Sequence, residues 1–231
     1  SAVGRIVTVL VSWCLAWGLH FMATPTPAIA LIAEQSILAQ AFGSNGEDLL
    51  STGTYTEAYV YPRPTMTTGE YFIECAYAKQ DTGAGVEVGY KWWHDKTAPG
   101  YSPEWYTVRG DPLNKIYYRQ GYSGASWAQG YGVGDYVELH LLNINGTDDY
   151  EIRIGGTTRY TWYDTGMQSS RAQMGMERTA SHGYATYRCV KYKKWADRTW
   201  YFWPNAYAAD KDSAYRMYTD KLSTSLHMLY F

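Results

Sequence analysis

Residues 135–163 read DYVELHLLNINGTDDYEIRIGGTTRYTWY, and this stretch decides the fold. Apolar and polar residues alternate between Val137 and Leu142, which predicts a strand with one buried face. Asn145-Gly146 is a turn signal, and Tyr150–Ile154 then returns along the first strand. Gly155-Gly156 reverses the chain once more, so the stretch predicts three consecutive antiparallel strands.

The same sequence pattern continues on both sides of this stretch, where short runs of alternating apolar and polar residues are separated by Gly, Pro, Asn and Asp. About a dozen short strands of this kind predict an all-β fold, an antiparallel β-sandwich or jelly roll. Glu70–Ala78 and Val86–Trp93 form a predicted hairpin. Two segments are expected to differ, with one helix over Ala33–Ala41 and one or two helical turns within Asp210–Leu222.

The run Val137–Ile154, the sequence Gly175-Met-Glu-Arg-Thr and the C-terminal strand together resemble the concanavalin-A-like sandwiches. This superfamily includes lectins, glucanases and glutamic peptidases. The resemblance spans roughly residues 50–231 and implies a jelly roll. The glucanase signature Glu-x-Asp-x-x-Glu is absent, and no motif assigns the Gln/Glu pair of the glutamic peptidases. Similarity of fold therefore does not assign a function, which has to be argued from the residues of the site.

The first thirty residues have the organisation of an export signal. Arg5 provides a positive charge, Ile6–Ala23 is largely apolar, and Ala28-Ile29-Ala30 fits a small-x-small cleavage site. A retained membrane anchor is the alternative, because 18 apolar residues reach the lower limit of a membrane span. We expect a signal peptide at 1–30, an N-terminal segment at 31–50, a sandwich domain at 51–231 and a secreted or cell-surface location.

Charge and motif content exclude several functions. The formal net charge of −2 is mild and mixed, which argues against nucleic acid or an anionic membrane as partner. No metal-ligand spacing occurs among the histidines, which include His94, His140 and His182. The acidic loop Asn143–Asp149 favours a plain turn over a calcium site. The sequence thus implies neither a metal nor a cofactor.

Two cysteines remain once the signal segment is set aside. Cys75 and Cys189 both lie in predicted strands, and an even pair in an exported chain predicts a disulfide. The alternative is a pair of buried free thiols.

Tyrosine and tryptophan are unusually frequent, with 24 Tyr and 10 Trp against 5 Phe. Their rings have an apolar body and a polar tip, which suits a surface that stacks on sugar rings. Alternation places Tyr90 and Trp92 on one face and Trp93 on the other. The residues expected to bind ligand are Tyr90, Trp92, Trp93, Trp105 and Trp127. Ordinary packing of these rings in a core is the alternative.

Glu177 is the candidate catalytic carboxylate. It is four residues from Gln173 in a predicted strand, so the two side chains share a face and both are candidates for ligand binding. Acid–base hydrolysis needs a second carboxylate, and the sequence offers Glu87, Glu138 or Glu151 without choosing between them. The alternative is a surface glutamate paired with a nearby arginine, from among Arg153, Arg171 and Arg178.

Three functions remain open at this point. The first is a non-catalytic exported sandwich that binds extracellular polysaccharide or glycan by aromatic stacking. The second is a secreted hydrolase, a glycosidase or a glutamic-type peptidase, that uses Glu177. The third is a structural surface protein that assembles with copies of itself.

Overall fold

The computed structural model describes residues 36–43, 45–66, 70–93, 103–111, 116–121, 131–178, 183–211, 215–219 and 226–230. These residues form fifteen β-strands and no helix. The strands are β1 Ser36–Phe42, β2 Leu50–Tyr59, β3 Tyr71–Lys79, β4 Gly85–Trp93, β5 Glu104–Gly110, β6 Ile116–Gly121, β7 Tyr136–Asn143, β8 Tyr150–Ile154, β9 Thr157–Trp162, β10 Ser170–Arg178, β11 Gly183–Lys194, β12 Trp200–Phe202, β13 Asn205–Lys211, β14 Tyr215–Thr219 and β15 Leu226–Tyr230. The predicted all-β antiparallel sandwich is therefore confirmed.

The strands pair into one antiparallel sheet that folds over into two layers. The first layer has the order β13-β1-β10-β3-β4-β5-β6, and the second has the order β14-β15-β11-β2-β7-β8-β9 with β12 beside β11. A short pairing between β2 and β10, Ser51 with Ser170 and Leu50 with Arg171, joins the layers. The first layer is the one that carries the candidate site.

The hydrophobic core lies between the layers and draws on both. Val86, Val88 and Met174 of the first layer pack with Leu139 and Ile152 of the second, and all five are fully buried. Alternation along each strand sends the intervening residues to the outer faces. The pattern of residues 137–142 is a clear case, because burial alternates along the whole of β7.

Side-chain hydrogen bonds also cross between the layers. The Trp162 indole Nε1 donates to the Thr107 hydroxyl at 3.0 Å, and the Tyr90 hydroxyl lies 3.1 Å from the carbonyl oxygen of Tyr59. The Tyr187 hydroxyl accepts from the Cys75 backbone N–H at 3.2 Å. These buried polar groups fix the position of one layer over the other, because leaving them unpaired would cost free energy.

The predicted hairpins are confirmed. β3 and β4 pair from Tyr71–Trp93 to Lys79–Gly85, and the connecting turn is closed by the Gln80 N–H donating to the Ala84 carbonyl at 2.9 Å. β7, β8 and β9 form the meander expected for residues 135–163.

The helix predicted over Ala33–Ala41 is wrong. Ser36–Phe42 forms strand β1, which pairs with β10 on one side and β13 on the other. Ladder hydrogen bonds to two neighbours override a weak local helix preference, which acts only as a prior. The helical turns expected within Asp210–Leu222 are likewise wrong, because the described part of that segment belongs to β13 and β14.

The predicted Cys75–Cys189 disulfide is not formed, and both residues are free thiols. Cys75 lies on β3 with its thiol beside Glu87 on the outer face of the first layer. Cys189 occupies a bulge of β11 at a φ of 53°, with its thiol beside Glu57 on the outer face of the second layer. The two thiols point to opposite sides of the sandwich, so no bridge can span them.

The export segment at 1–30 lies outside the described residues. Among the residues that the structure describes, no helix is long and apolar enough to cross a bilayer.

We expect alkylation to separate the two thiols. Treating native protein with iodoacetamide without reductant should label the partly exposed Cys189 and leave the buried Cys75 unlabelled. After unfolding, still without reductant, peptide mapping should find both residues labelled. Recovery of a Cys75–Cys189 cross-linked peptide would contradict this arrangement.

Gly89 on β4 is a second point at which the fold can be tested. A Cβ at this position would lie 2.2 Å from the Glu74 carbonyl oxygen and 2.9 Å from the Cys75 Cβ. Gly89→Ala should therefore lower the free energy of unfolding by about 2 kcal/mol or more, as overpacking does. Gly132→Ala is the matched control, because a Cβ there meets nothing within 4 Å. Chemical denaturation of both variants measures the difference, and equal stabilities would disprove this close packing.

Candidate active site

The outer face of the first layer is polar where β10, β3 and β4 run side by side. The register aligns these strands in three levels. From one end to the other, the levels are Gln173–Tyr77–Glu87, then Gly175–Cys75–Gly89, then Glu177–Ile73–Lys91. The two glycines leave Cys75 as the one side chain of the middle level, and β3 and β4 pack closely at Gly89.

The polar side chains of this face are almost completely buried, although they lie outside the main core. Exposure is 4% for Gln173, 4% for Glu87, 6% for Glu177, 4% for Lys91 and 4% for Glu104 of the neighbouring strand β5. Charged groups are rarely buried to this degree unless they are paired or functional. The face therefore stands out as the candidate site.

Each of the three carboxylates on this face accepts a hydrogen bond from a tyrosine hydroxyl. Tyr106 on β5 donates to Glu87, Tyr71 on β3 donates to Glu177, and Tyr118 on β6 donates to Glu104 at 2.6 Å. A tyrosine hydroxyl is a donor that stays protonated at neutral pH. The tyrosines thus fix the carboxylate positions without adding charge.

Burial is the main influence on Glu87 and raises its pKa to about 8. The hydrogen bond from Tyr106 opposes this rise, the negative charge of Glu177 adds to it, and the Cys75 thiol and Lys91 oppose it. Glu87 consequently carries its proton at neutral and acidic pH. A protonated carboxylic acid on the same face as a second carboxylate can supply both an acid and a base.

Lys91 is the cation at the Glu177 end of this face. Its Nζ atom lies 3.6 Å from the ring centroid of Trp93 and 4.2 Å from that of Tyr71. Cation–π contacts of this kind hold an ammonium group in place while it remains charged. The ammonium therefore stands at the level of Glu177, where it offsets part of the negative charge.

At the other end of the face, in the level of Gln173, Tyr77 and Glu87, side-chain amides form a chain of hydrogen bonds. The Gln173 Nε2 donates to the Gln40 Oε1 at 2.6 Å, and the Gln40 Nε2 donates to the Asp48 Oδ1 at 2.9 Å. This chain orients the Gln173 amide. Its Oε1 atom and the Tyr77 hydroxyl are both buried with no hydrogen-bond partner among the described residues. Two polar atoms beside Glu87 are thus available to a ligand.

Cys75 sits between the two polar levels but is unsuited to nucleophilic attack. Burial raises the pKa of its thiol well above the usual value, and the charges of Glu87 and Glu177 raise it further. Because the thiolate is the reactive form, this cysteine stays inert at neutral pH.

The structure brings together part of the predicted site. Gln173 and Glu177 share a face, as the sequence indicated, and Glu87 joins them as the second carboxylate. Glu138 and Glu151 lie on the outer face of the second layer, where Glu138 accepts from Tyr55 at 2.8 Å and Glu151 pairs with Arg153. The register of β3 between β10 and β4 selects Glu87.

The arginine partners considered for Glu177 are mostly engaged elsewhere. Arg171 forms ion pairs with Asp48 and Asp81, each at 2.6 Å, and Arg153 pairs with Glu151. The Arg178 side chain lies outside the described residues. Glu177 instead contacts Tyr71, so its setting is not that of a simple surface ion pair.

The predicted stacking surface is wrong for three of its aromatic residues. Tyr90, Trp92 and Trp105 are buried in the core between the layers, with exposures of 0%, 2% and 4%. Tyr90 and Trp92 do share a face, as alternation required, but that face is the inner one. Trp93 points to the polar face and contacts Lys91. Trp127 lies outside the described residues, as do His94 and His182.

Sequence analysis missed Lys91, Glu104, Gln40 and the tyrosines that hold the carboxylates. A signal was present, because Glu87, Gly89 and Lys91 occupy alternate positions on one face of a strand. Glu104 could not be found in this way. Its position opposite Lys91 depends on the register between β4 and β5.

The acidic loop after β7 is built as a turn. The Asn143 side-chain amide donates to the carbonyl oxygens of Thr147 and Asp149 at 3.0 and 3.3 Å. Asp148, Asp149 and Asp164 bring carboxylate oxygens within 4.8 Å of one another. Asp149 accepts from the Asp164 N–H and Asp148 from the Gly166 N–H, which are ordinary turn contacts.

Comparison with known proteins relates the chain to others by fold alone. No protein-family model matches it, and no curated protein is significantly similar in sequence. Among solved structures, Scytalido-glutamic peptidase with a peptide-based transition state analog superposes with a TM-score of 0.56 at 10% identity, covering 85% of this chain and 97% of that one. SCP-B, a member of the Eqolisin family of peptidases, in complex with the tripeptide Ala-Ile-His, gives 0.54 at 11% identity over the same shares. A Bacteroides ovatus mixed-linkage glucan enzyme of glycoside hydrolase family 16 gives 0.39 at 10% identity over 63% of this chain and 66% of that one.

The buried glutamates predict how stability depends on pH. Burial raises the pKa of Glu87 from 4.5 to about 8, and it raises that of Glu74, in the core, well above 4.5. The folded state therefore holds more protons than the unfolded state between these values, and stability falls as pH rises. Burial lowers the pKa of His140 to about 4, which acts in the opposite direction below pH 6.5. Most of the opposing contribution of His140 is complete by pH 6.5, so the glutamates dominate the change in stability between pH 6.5 and pH 8.

We expect the free energy of unfolding to drop across this interval by on the order of 1–2 kcal/mol through Glu87, and Glu74 should add to the drop. Chemical denaturation at pH 6.5 and pH 8 measures the change. Glu87→Gln should retain only the part due to Glu74, while Glu138→Gln, on the second layer, should behave as the parent does. A stability that is flat or rising with pH in all three proteins would contradict these protonation states.

Proposed function

We propose that this protein is a hydrolase that cleaves peptide bonds, with Glu87 and Glu177 as its acid–base pair. The observation that carries the proposal is the burial of two carboxyl groups on one face, of which Glu87 has its pKa raised to about 8. Two carboxyl groups in different electrostatic settings are what general acid–base hydrolysis requires.

The proposed chemistry divides the roles between the two polar levels. Glu177 removes a proton from a water molecule, which attacks the carbonyl carbon of the scissile bond. Glu87 gives its proton to the departing amine nitrogen. Lys91, held near Glu177 by Trp93 and Tyr71, offsets negative charge in the site. The Gln173 Oε1 and the Tyr77 hydroxyl are positioned to hydrogen-bond the substrate backbone beside Glu87.

Peptide is favoured as the substrate class by the fold. The two peptidases described above superpose with TM-scores of 0.56 and 0.54 and are covered over 97% of their length. The first of these structures contains a peptide-based transition state analog, and the second contains the tripeptide Ala-Ile-His. Fold similarity alone does not carry activity to this chain, so the proposal depends on the carboxyl pair and is open to direct test.

The hydrolase replaces the non-catalytic glycan binder as the leading function. That idea depended on exposed aromatic rings, and Tyr90, Trp92 and Trp105 lie in the core. We retain secretion as part of the proposal on the strength of the signal-like segment at residues 1–30. An exported peptidase would meet extracellular protein as its substrate.

The decisive experiment is an activity assay on an unstructured, quenched-fluorescence protein substrate from pH 3 to 9. Cleavage should decline as the pH rises through about 8, because Glu87 then loses the proton that it donates. Glu177→Gln and Glu87→Gln should each lower kcat/KM by about 100-fold or more. Glu138→Gln makes the same chemical change on the second layer and should leave kcat/KM within twofold.

Three results would overturn the proposal. Peptide cleavage that survives Glu177→Gln removes the proposed base. Equal loss in the Glu138→Gln control shows that the effect is not local to the site. Cleavage of a β-glucan under the same conditions, without cleavage of peptides, would keep the carboxyl pair and replace the substrate class.

A further inference from the structure

The outer face of the second layer carries a group of rings and lysines far from the carboxyl pair in the strand order. We call it the lysine–aromatic patch, and it consists of Tyr55, His140, Lys191, Lys193, Trp200 and Phe202. Two cross-strand rows build it, His140–Tyr55–Lys191–Phe202 and Leu142–Gly53–Lys193–Trp200. All six side chains therefore project from the same face of the sheet.

The rings of the patch form one contiguous cluster. Centroid separations are 5.1 Å between His140 and Trp200, 5.7 Å between Tyr55 and His140, and 6.2 Å between Tyr55 and Trp200. Gly53 makes this possible, because a Cβ there would lie 3.0 Å from the Trp200 ring. Phe202 at the end of the row is 48% exposed.

The two lysines of the patch are supported by rings instead of carboxylates. The Lys191 Nζ lies 4.8 Å from the Phe202 centroid and 5.3 Å from that of Tyr55, and the Lys193 Nζ lies 5.9 Å from that of Trp200. Among the described residues, neither lysine forms an ion pair. Of the neighbouring acids, Glu57 pairs with Arg188 and Glu151 with Arg153, and Glu138 accepts a hydrogen bond from Tyr55 of the patch.

Cations accumulate at one end of the patch. Burial lowers the pKa of Lys193, and the charges of Arg198 and Arg153 lower it further. This mutual repulsion between like charges would be relieved by an anion placed over the lysines. The exposed ring of Phe202 beside them offers an apolar surface on which a flat ligand face can stack.

We propose that the lysine–aromatic patch binds an acidic polysaccharide, with uronate carboxylates on Lys191 and Lys193 and sugar rings against Phe202 and Trp200. The small number of cations on this face weighs against a nucleic acid. A nucleic acid carries one phosphate per nucleotide and needs an extended basic face, whereas this chain has a net charge of −2 and offers two unpaired lysines. A polysaccharide presents both carboxylates and apolar ring faces within the reach of one patch.

The test measures binding of the full chain to polygalacturonate, to uncharged dextran of similar length and to oligo(dT). Polygalacturonate should bind more weakly as sodium chloride rises, because screening weakens charge pairing. The double variant Lys191→Gln/Lys193→Gln should weaken binding about tenfold, and Phe202→Ala several-fold. Lys194→Gln is the matched control, because it removes the same charge from the next residue, whose side chain alternates to the other side of the strand.

The outcomes separate this proposal from the peptidase. Equal binding to dextran, no binding to polygalacturonate, or unchanged binding by the double variant would overturn it. Tighter binding to oligo(dT) would assign a nucleic acid in place of the polysaccharide. Circular dichroism and thermal unfolding confirm that the variants are folded, and peptide cleavage by the double variant should equal that of the parent. Loss of binding with intact cleavage assigns the patch a role of its own.

Discussion

Strand β3 is buried on both of its faces, and much of the structure follows from this constraint. Its neighbour β4 is buried in the same way along nearly its full length. A strand that lines a two-layer sandwich ordinarily has one wet face. Polar groups on either face are therefore under pressure to pair within the protein, because an unpaired buried group is costly, and the Tyr77 hydroxyl is an exception among the described residues.

Tyrosine hydroxyls satisfy most of that demand. Buried or half-buried glutamates on both layers and in the core accept from a tyrosine: Glu74 from Tyr90, Glu87 from Tyr106, Glu104 from Tyr118, Glu138 from Tyr55 and Glu177 from Tyr71. A tyrosine brings a large apolar ring and one donor, so it fills space and holds a carboxyl group together. This gives the 24 tyrosines a physical reason other than a sugar-stacking surface.

Strands β4 and β10 show most clearly which structural features could be predicted from the sequence. Alternation correctly placed Gln173 with Glu177, and Tyr90 with Trp92, because a strand has a period of two. Alternation does not say which face is the inner one when both are buried, so Trp92 was assigned to a ligand surface and lies in the core. Choosing Glu87 over Glu138 as the second carboxylate required the register of β10, β3 and β4. That register brings Glu87 onto the same face as Gln173 and Glu177, which follow it by 86 and 90 positions in the sequence. The Cys75–Cys189 disulfide failed for the same reason, since both strands were expected but the layers that they occupy were not.

The burial of β3 on both faces also links the stability of the fold to the protonation of the proposed catalytic acid. Burial raises the pKa of both Glu74 and Glu87, of which the first faces the core and the second faces the candidate site. A pH high enough to ionise Glu87 should weaken the fold and, on the proposed mechanism, should also remove the proton that Glu87 gives to the leaving group. Replacing Glu87 by an acid that stays solvated would remove its pH-dependent effect on stability. It would also remove the raised pKa that keeps the proposed acid protonated at neutral pH. On the proposed mechanism, activity and stability should therefore both decline as the pH rises through about 8, because the proposed acid Glu87 is also a buried group whose neutral form the fold favours.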